Sequence, residues 1–480
     1  MNLADIIKVV SDFLMGLGVP LLLPIIITIL GLFFGQKFTK ALRAGLTLGA
    51  GFIALNLVIG LLINNMAPVV DSMVKSTGTN LNILDVGWGV AAAIAWGTQA
   101  GAVVIIVCLA VNVLMLALRL TKTLNVDIWN FWNEAFAASV VFLITKSIVA
   151  GLLAAAILMV YSLFIADITA RKVQKFHGLP GISIPHGFAV TSVPIIAGVN
   201  WLLDRIPGVN KIHWDESAIR EKLGIFGEPL FLGTILGILV GLFGGLWKEP
   251  VKLITLGVTI GTAMILIPKI IGFFMEALSP IAESAQQYMK KRFGNREFYI
   301  GLDSAVLIGH PVTVAAAIIL IPITLGLALI LPGNRVLPFG DLAALFYFVA
   351  MVPFLTNGNL FRSIISGAVI MSVVMWVCTS FGSGLTEMAK SIGYAMPANA
   401  VDITALSAGN WVVALSYQIG KLMNGGTLSV IVLAAVLILS LAGVALYTNK
   451  HKNDISSDEV EQIEQLEQLD EEAFLSDSAK

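Results

Sequence analysis

Ionisable side chains are scarce in this chain, and the few that interrupt its long apolar runs are the ones placed to do chemistry. Asp303 and His310 stand seven residues apart in YIGLDSAVLIGHP. A continuous helix would carry both on one face, two turns apart. A carboxylate there, with no cation beside it, suits a ligand rich in hydroxyl groups, whose hydrogen bonds it accepts strongly. The bland alternative is a helix–helix hydrogen bond. Asn133 and Glu134, in NVDIWNFWNEAF, open a short helix, and Asp341, in VLPFGDLAALF, opens the matching one in the second half of the chain. Two half-helices with converging N-termini present backbone N–H donors at the middle of a membrane bundle. Asp85 in DVGWG and Glu228 in GIFGEPLF fit either ligand contact or a cap on a helix N-terminus. His186, bracketed by Pro and Gly in ISIPHG, reads as a ligand contact or as a satisfied structural histidine. Gln99 completes the candidate substrate-binding set. An ionisable group near the centre of a membrane helix costs at least ~2.5 kcal/mol, so such residues face a pathway or a partner.

Other chemistries are not supported. Cys108 and Cys378 each lie inside an apolar run with no adjacent base, which fits small hydrophobes in helix packing rather than a nucleophile, disulfide or metal site. No GxxxxGK[ST] loop, HExxH pair or paired-Cys site occurs, so neither ATP hydrolysis, a metal nor a cofactor is expected, and no catalytic residue is assigned. Trp88 and Trp96 could stack on a sugar, but interface anchoring, as for Trp129 and Trp247, is the preferred reading of the tryptophans.

These residues must be held by membrane-spanning elements. The chain of 480 residues is 57% hydrophobic and only 12% charged, against roughly 25% charged in a soluble domain. The net charge of −1 conceals a mildly basic body, because a third of the acids follow Lys450. No clustered basic face exists to bind nucleic acid. The chain also states one hydrophobic pattern twice. GVPLLLPIIITILGLFFG from Gly18 is matched by GEPLFLGTILGILVGLFGG from Gly227, and DVGWGVAAAIAWG by YIGLDSAVLIGHP, at offsets drifting from roughly 209 to 214.

Long apolar runs mark spans at 18–36, 41–64, 100–118, 148–168, 224–246, 250–277, 311–331, 360–380 and 427–447, with shorter ones near 133–146 and 341–356. The runs 84–98 and 298–309 contain Asp, Gly, Trp or His and read as re-entrant or broken segments. Placing the basic groups at Lys37–Arg43, Arg119–Lys122, Arg171–Lys175 and Lys290–Arg296 in the cytoplasm gives about eleven crossings, with the N-terminus outside and the C-terminus inside. Five crossings per repeat is an odd number, so the second copy is inverted. The fold expected is an all-α polytopic membrane protein: a first membrane repeat over 1–169, a cytoplasmic or re-entrant connector over 170–222, a second repeat over 223–382, a re-entrant loop and final span over 383–450, and an acidic cytoplasmic tail over 451–480. The start, MNLADIIKVVSDFLMGLG, carries acids rather than a basic n-region and does not read as a cleavable signal.

The ordered segments DVGWG, NVDIWNFW, ISIPHG, IPGVNKI, GIFGEP, EFYIGLDSAVLIGH, PGNRVLPFGDLA and GNLFRSIISG resemble the galactitol family of phosphotransferase-system (PTS) permeases, the enzyme IIC component within the ascorbate–galactitol superfamily. The resemblance runs from about Val19 to Tyr447. It implies a homodimeric carrier of the bacterial inner membrane, in lipid, with a core moving against a scaffold in elevator fashion. It implies a sugar or polyol substrate phosphorylated by a separate IIB protein that is recharged through IIA. It carries ligand roles to Asp85, His186, Glu228, Asp303, His310 and Asp341. Asn133 departs from the His of galactitol carriers, and DVGWGVAAAIAWGTQ lacks their Pro after Trp, so the route is better defined than the sugar. The competing class is an ion- or proton-coupled symporter using Asp303 and Glu228. A sensor that binds sugar without moving it is a second rival.

Overall fold

The computed structural model describes residues 24–25, 27–29, 31–77, 81–125, 127, 130–214, 229–293, 298–338, 341, 345–391, 402–423 and 426–450. Glu228, Trp129, the side chain of Trp96, the N-terminal stretch and the acidic tail lie outside the described residues. The body is mostly helical, as its composition requires. Among the described residues, four helices are long and apolar enough to cross a bilayer: Ile148–His177, Pro311–Ile330, Leu360–Ser391 and, within a longer helix, Ile431–Lys450. Shorter apolar helices include Val104–Ala117, Phe131–Thr145 and Gly187–Leu203.

One order of elements occurs in each half. In the first half a helical stretch within 24–33 leads to α1 (Phe38–Thr77), β1 (Ile83–Asp85), α2 (Trp88–Gly97), α3 (Val104–Ala117), β2 (Thr123–Asn125), α4 (Phe131–Thr145), α5 (Ile148–His177), β3 (Ile182–Ser183) and α6 (Gly187–Leu203). In the second half come α7 (Pro229–Phe243), α8 (Pro250–Phe293), β4 (Tyr299–Gly301), a 3-10 turn (Ser304–Leu307), α9 (Pro311–Ile330) and β5 (Val336–Leu337). Two short helices, α10 (Leu345–Val349) and α11 (Val352–Leu355), then precede α12 (Leu360–Ser391), β6 (Asp402–Thr404) and α13 (Trp411–Met423), with α14 (Thr427–Lys450) last. The shared order thus runs on through β3–α6 and β6–α13, past the boundaries at 169 and 382 drawn from the apolar runs.

Left-handed turns fall at matching places. Gly35 and Gly245 have φ of 86° and 84°, Arg119 and Gly333 have 62° and 76°, and Lys146 and Asn357 have 54° and 50°. Each follows a helix of its half, where a left-handed residue closes the last turn. Close approach between α7 and α8 is set by glycine: a Cβ on Gly257 would stand 2.9 Å from the Thr234 carbonyl.

Six short strands among the described residues depart from the all-α expectation. They form two parallel three-stranded sheets, ordered β5-β1-β6 and β2-β4-β3. In the first, Ile83 stands opposite Val336 and Asp402; in the second, Ile300 stands opposite Leu124 and Ile182. Each central strand belongs to one half and both of its neighbours to the other. The reason is backbone satisfaction. Where helices break inside an apolar body, the freed N–H and C=O groups find partners in other broken segments and in polar side chains of neighbouring helices, as Asn112 and Gln174 provide here.

Gly301 lies at the tightest point of the second sheet. A Cβ there would stand 2.7 Å from the Pro185 ring and 2.9 Å from the Asn125 backbone, and Asn125 is its strand partner. Gly301→Ala is expected to destabilise the protein by about 1–3 kcal/mol through forced separation of the strands. A thermal melt in detergent that matches wild type would contradict this.

Candidate functional site

The C-terminal end of each central strand carries an aspartate, and each aspartate organises a junction between the halves. At the first sheet, Asp85 ends β1 and is buried. Its Oδ1 accepts from the Gly87 N–H at 3.1 Å and its Oδ2 from the Asp341 N–H at 2.8 Å. Asp341, also buried, accepts from the Trp88 N–H at 2.6 Å through Oδ1. Its Oδ2 accepts from the Ser407 N–H at 3.0 Å and from the Ser407 hydroxyl at 2.6 Å. Asp341 therefore caps the start of α2 from the opposite half, where a negative group is favoured by the helix dipole. All four carboxylate oxygens of this pair hold protein donors.

At the second sheet, Asp303 follows β4 and caps the 3-10 turn, its Oδ1 accepting from the Ala305 N–H at 2.7 Å. Its own N–H donates to Asp127 Oδ2 at 3.1 Å. His186, the residue before α6, pairs its Nδ1 with the Ser304 hydroxyl at 2.9 Å, and its Nε2 lies 3.8 Å from Asp303 Oδ2. Each of these two residues came from a different broken segment of the sequence, and the structure brings them together. The Asp303 side chain keeps 14% exposure against 6% for His186, so it is the more accessible of the two.

His310 is not on a shared helical face with Asp303. The seven residues are split by the 3-10 turn, and His310 instead starts α9, its Nδ1 accepting from the Val312 N–H at 3.2 Å. Its ring lies against Phe176, centroids 4.5 Å apart, and edge-on to His177 at 5.5 Å. The helical spacing fails because Gly309 and Pro311 flank it, and a proline cannot continue the hydrogen-bonding of a preceding turn. Gln99 sits exposed in the turn between α2 and the next helix, apart from both aspartate clusters.

Three helix starts meet beside His186. Asn133 and Glu134 open α4, Gly187 opens α6, and Asn410 precedes α13. The Asn410 amide donates to the Gly187 carbonyl at 3.4 Å, while its Oδ1 accepts from the Val412 N–H at 3.0 Å. Ser407 and Asn410 thus tie the two aspartate clusters through one short segment. Sequence reasoning missed Asp127, Ser304, Ser407 and Asn410. Asp127 stands inside NVDIWNFW and Ser304 inside YIGLDSAVLIGH, so both were visible as motif members, whereas Ser407 and Asn410 carry no local signal. Among the described residues, no cluster of three or more His, Cys, Asp or Glu could hold a metal ion.

Comparison with known proteins bears on this arrangement. The family model EIIC-GAT, described as a PTS system sugar-specific permease component, matches residues 13–399. A 38% identical protein of Escherichia coli (strain K12), aligned over 92% of this chain and 99% of its own length, is named a permease IIC component with no sugar specified. Two proteins named PTS system galactitol-specific EIIC component, from Escherichia coli (strain K12) and Escherichia coli O157:H7, are each 38% identical over 80% of this chain and 85% of their own length.

The two aspartate clusters differ in how a neutral amide should be tolerated. In Asp341→Asn an amide NH2 must face one of the donors Trp88 N–H or Ser407, leaving it unsatisfied at a cost of about 1–3 kcal/mol. That variant is expected to melt clearly below wild type in detergent, with no ligand present.

Proposed function

The chain belongs to the family of PTS system sugar-specific permease components (EIIC-GAT), and from that premise we propose what it carries and how. It is the IIC component of a phosphotransferase system, and the symporter alternative finds no support in its relatives. The substrate is a polyol, with galactitol the leading candidate. The observation that carries this choice is the 38% identity to galactitol-specific relatives along 80% of the chain. The polar junction at Asp303, His186 and Asn133 supports it, since it offers acceptors and donors to hydroxyl groups and no fixed cation to an acid.

The polyol enters unmodified from outside and is delivered to the cytoplasmic face. There a separate IIB protein, charged through IIA, phosphorylates it. This chain binds, orients and moves the substrate, and both of its cysteines are buried. We read the chain as a homodimeric, multi-pass protein of the bacterial inner membrane. It has about eleven crossings in two inverted repeats plus a final span, an outside N-terminus and a cytoplasmic C-terminus. Of the expected substrate-facing set, Asn133, His186 and Asp303 form the polar junction that would meet the polyol, whereas the carboxylates of Asp85 and Asp341 are filled by protein donors and brace the halves. An elevator motion is supported by the way helices group: α1, α7 and α8 pack on one another and meet the rest chiefly through α9. The former would be the scaffold and the remainder the moving core.

Uptake of a radiolabelled polyol panel, in cells with and without the cognate IIA and IIB proteins, tests the reading. Phosphorylated galactitol that disappears without IIB is the expected result. Unmodified polyol accumulating without IIB would overturn it. In the same assay Asp303→Asn should lower uptake about tenfold or more, because the amide is a weaker acceptor. Its Oδ1 can still cap the 3-10 turn, so the melting behaviour should stay within about 1 kcal/mol of wild type. Undiminished uptake would remove Asp303 from the substrate path.

A further inference from the structure

Buried polar atoms in folded proteins are almost always hydrogen-bonded, because each unmet group costs about 1–3 kcal/mol. Two adjacent side chains break that rule here. Asn133 is 2% exposed and Glu134 is 1% exposed. Neither the Asn133 Nδ2 nor either carboxylate oxygen of Glu134 has a hydrogen-bond partner among the described residues. The amide of Glu134 itself lies near its carboxylate without meeting hydrogen-bond geometry. The contrast with Asp85 and Asp341, whose four carboxylate oxygens all hold donors, is complete.

The unmet atoms lie against the junction already described. A Cβ on Gly187 would stand 2.9 Å from Asn133 Cβ, 3.2 Å from its Cγ and 3.6 Å from Glu134 Oε1. Gly187 follows His186, which contacts Ser304 and faces Asp303. So an acceptor pair and a donor group, without partners among the described residues, sit where three helix starts meet. A ligand that supplies both roles at once would satisfy them. Neighbouring hydroxyl groups do so, since each O–H donates and its oxygen accepts. A divalent ion fits less well, since the described residues hold no cluster of three ligating groups.

We propose that Glu134 is a substrate-recognition residue, its two carboxylate oxygens accepting from hydroxyls on adjacent carbons of the polyol while Asn133 Nδ2 donates to one of those oxygens. This rests on the reading that the chain carries a polyol. The consequence is specificity. A site with buried acceptors built for hydroxyls rejects an analogue lacking one, because the protein group is left bare.

The test uses the full chain in detergent, without IIB. Binding of a polyol panel headed by tritiated galactitol is measured first, then of monodeoxy forms of the tightest binder. Wild type should bind, and at least one deoxy form should bind about tenfold more weakly. In Glu134→Gln the parent polyol should weaken about tenfold, and the penalty for that deoxy form should shrink to about twofold or less. The ligand-free variant should melt no lower than wild type, since no protein hydrogen bond is lost. Its gain in melting temperature on adding polyol should be reduced. Glu134→Leu, which removes the polar atoms altogether, should also fold and should abolish binding. Three results would overturn the proposal. One is wild-type affinity and an unchanged deoxy pattern in Glu134→Gln. Another is melting of both ligand-free variants well below wild type, which marks a structural residue. The third is wild type binding no polyol, which would sink the substrate reading as well, whereas the first two leave it standing.

Discussion

A bilayer interior offers no hydrogen-bond partner to a bare peptide group, and the architecture of this protein follows from how it meets that constraint. Polar segments must reach the middle of the body to handle a hydrophilic ligand, so helices must break there. Six breaks contribute two or three extended residues each, and those pair into two small parallel sheets. The exchange between halves lets every first strand sit at the centre of a sheet, flanked by strands from the other half. The aspartates at or just past the ends of those central strands then have fixed places: Asp85 holds the Asp341 N–H, and Asp341 in turn caps α2, while Asp303 caps the 3-10 turn.

Within that frame the polar residues divide by whether the protein completes them. Asp85 and Asp341 are finished: backbone and serine donors fill both carboxylates, and the result is a brace between halves. Asp303 is partly finished, with one oxygen on a capping amide and the other facing His186 across 3.8 Å. Asn133 and Glu134 are left open. The gradient leads from brace to binding surface along a few residues. Asp85, Asp303 and Asp341 each stand within two residues of a glycine in an apolar run, whereas no glycine lies between Gly101 and Gly151, around Glu134.

Much of this was legible beforehand, and the limits have physical causes. The apolar run expected at 311–331 appears as Pro311–Ile330, because twenty apolar residues have few other homes, while the one expected at 148–168 starts as expected but runs on to His177. The interruptions at DVGWG and YIGLDS were visible as charge and glycine inside hydrophobic sequence. Their strands were not. Ile-Leu-Asp and Tyr-Ile-Gly are too short to show an alternating pattern, and their partners lie far away in the chain. The pairing of His186 with Ser304 depends on that same distant register. His310 was misjudged for a local reason, since seven-residue spacing means one face only if the helix is unbroken, and Pro311 begins a new one.

The exchanged strands also bear on time. Ile83 is made early, yet its partner Asp402 lies more than three hundred residues later. At about 5–20 residues per second, synthesis leaves that first strand waiting for roughly 15–65 s. The strands at the first-half breaks have no strand partner until the second half supplies one, since β1 pairs with β5 and β6, and β2 and β3 with β4. The first sheet can therefore close only when nearly all of the chain exists, so the two halves are completed together rather than in turn.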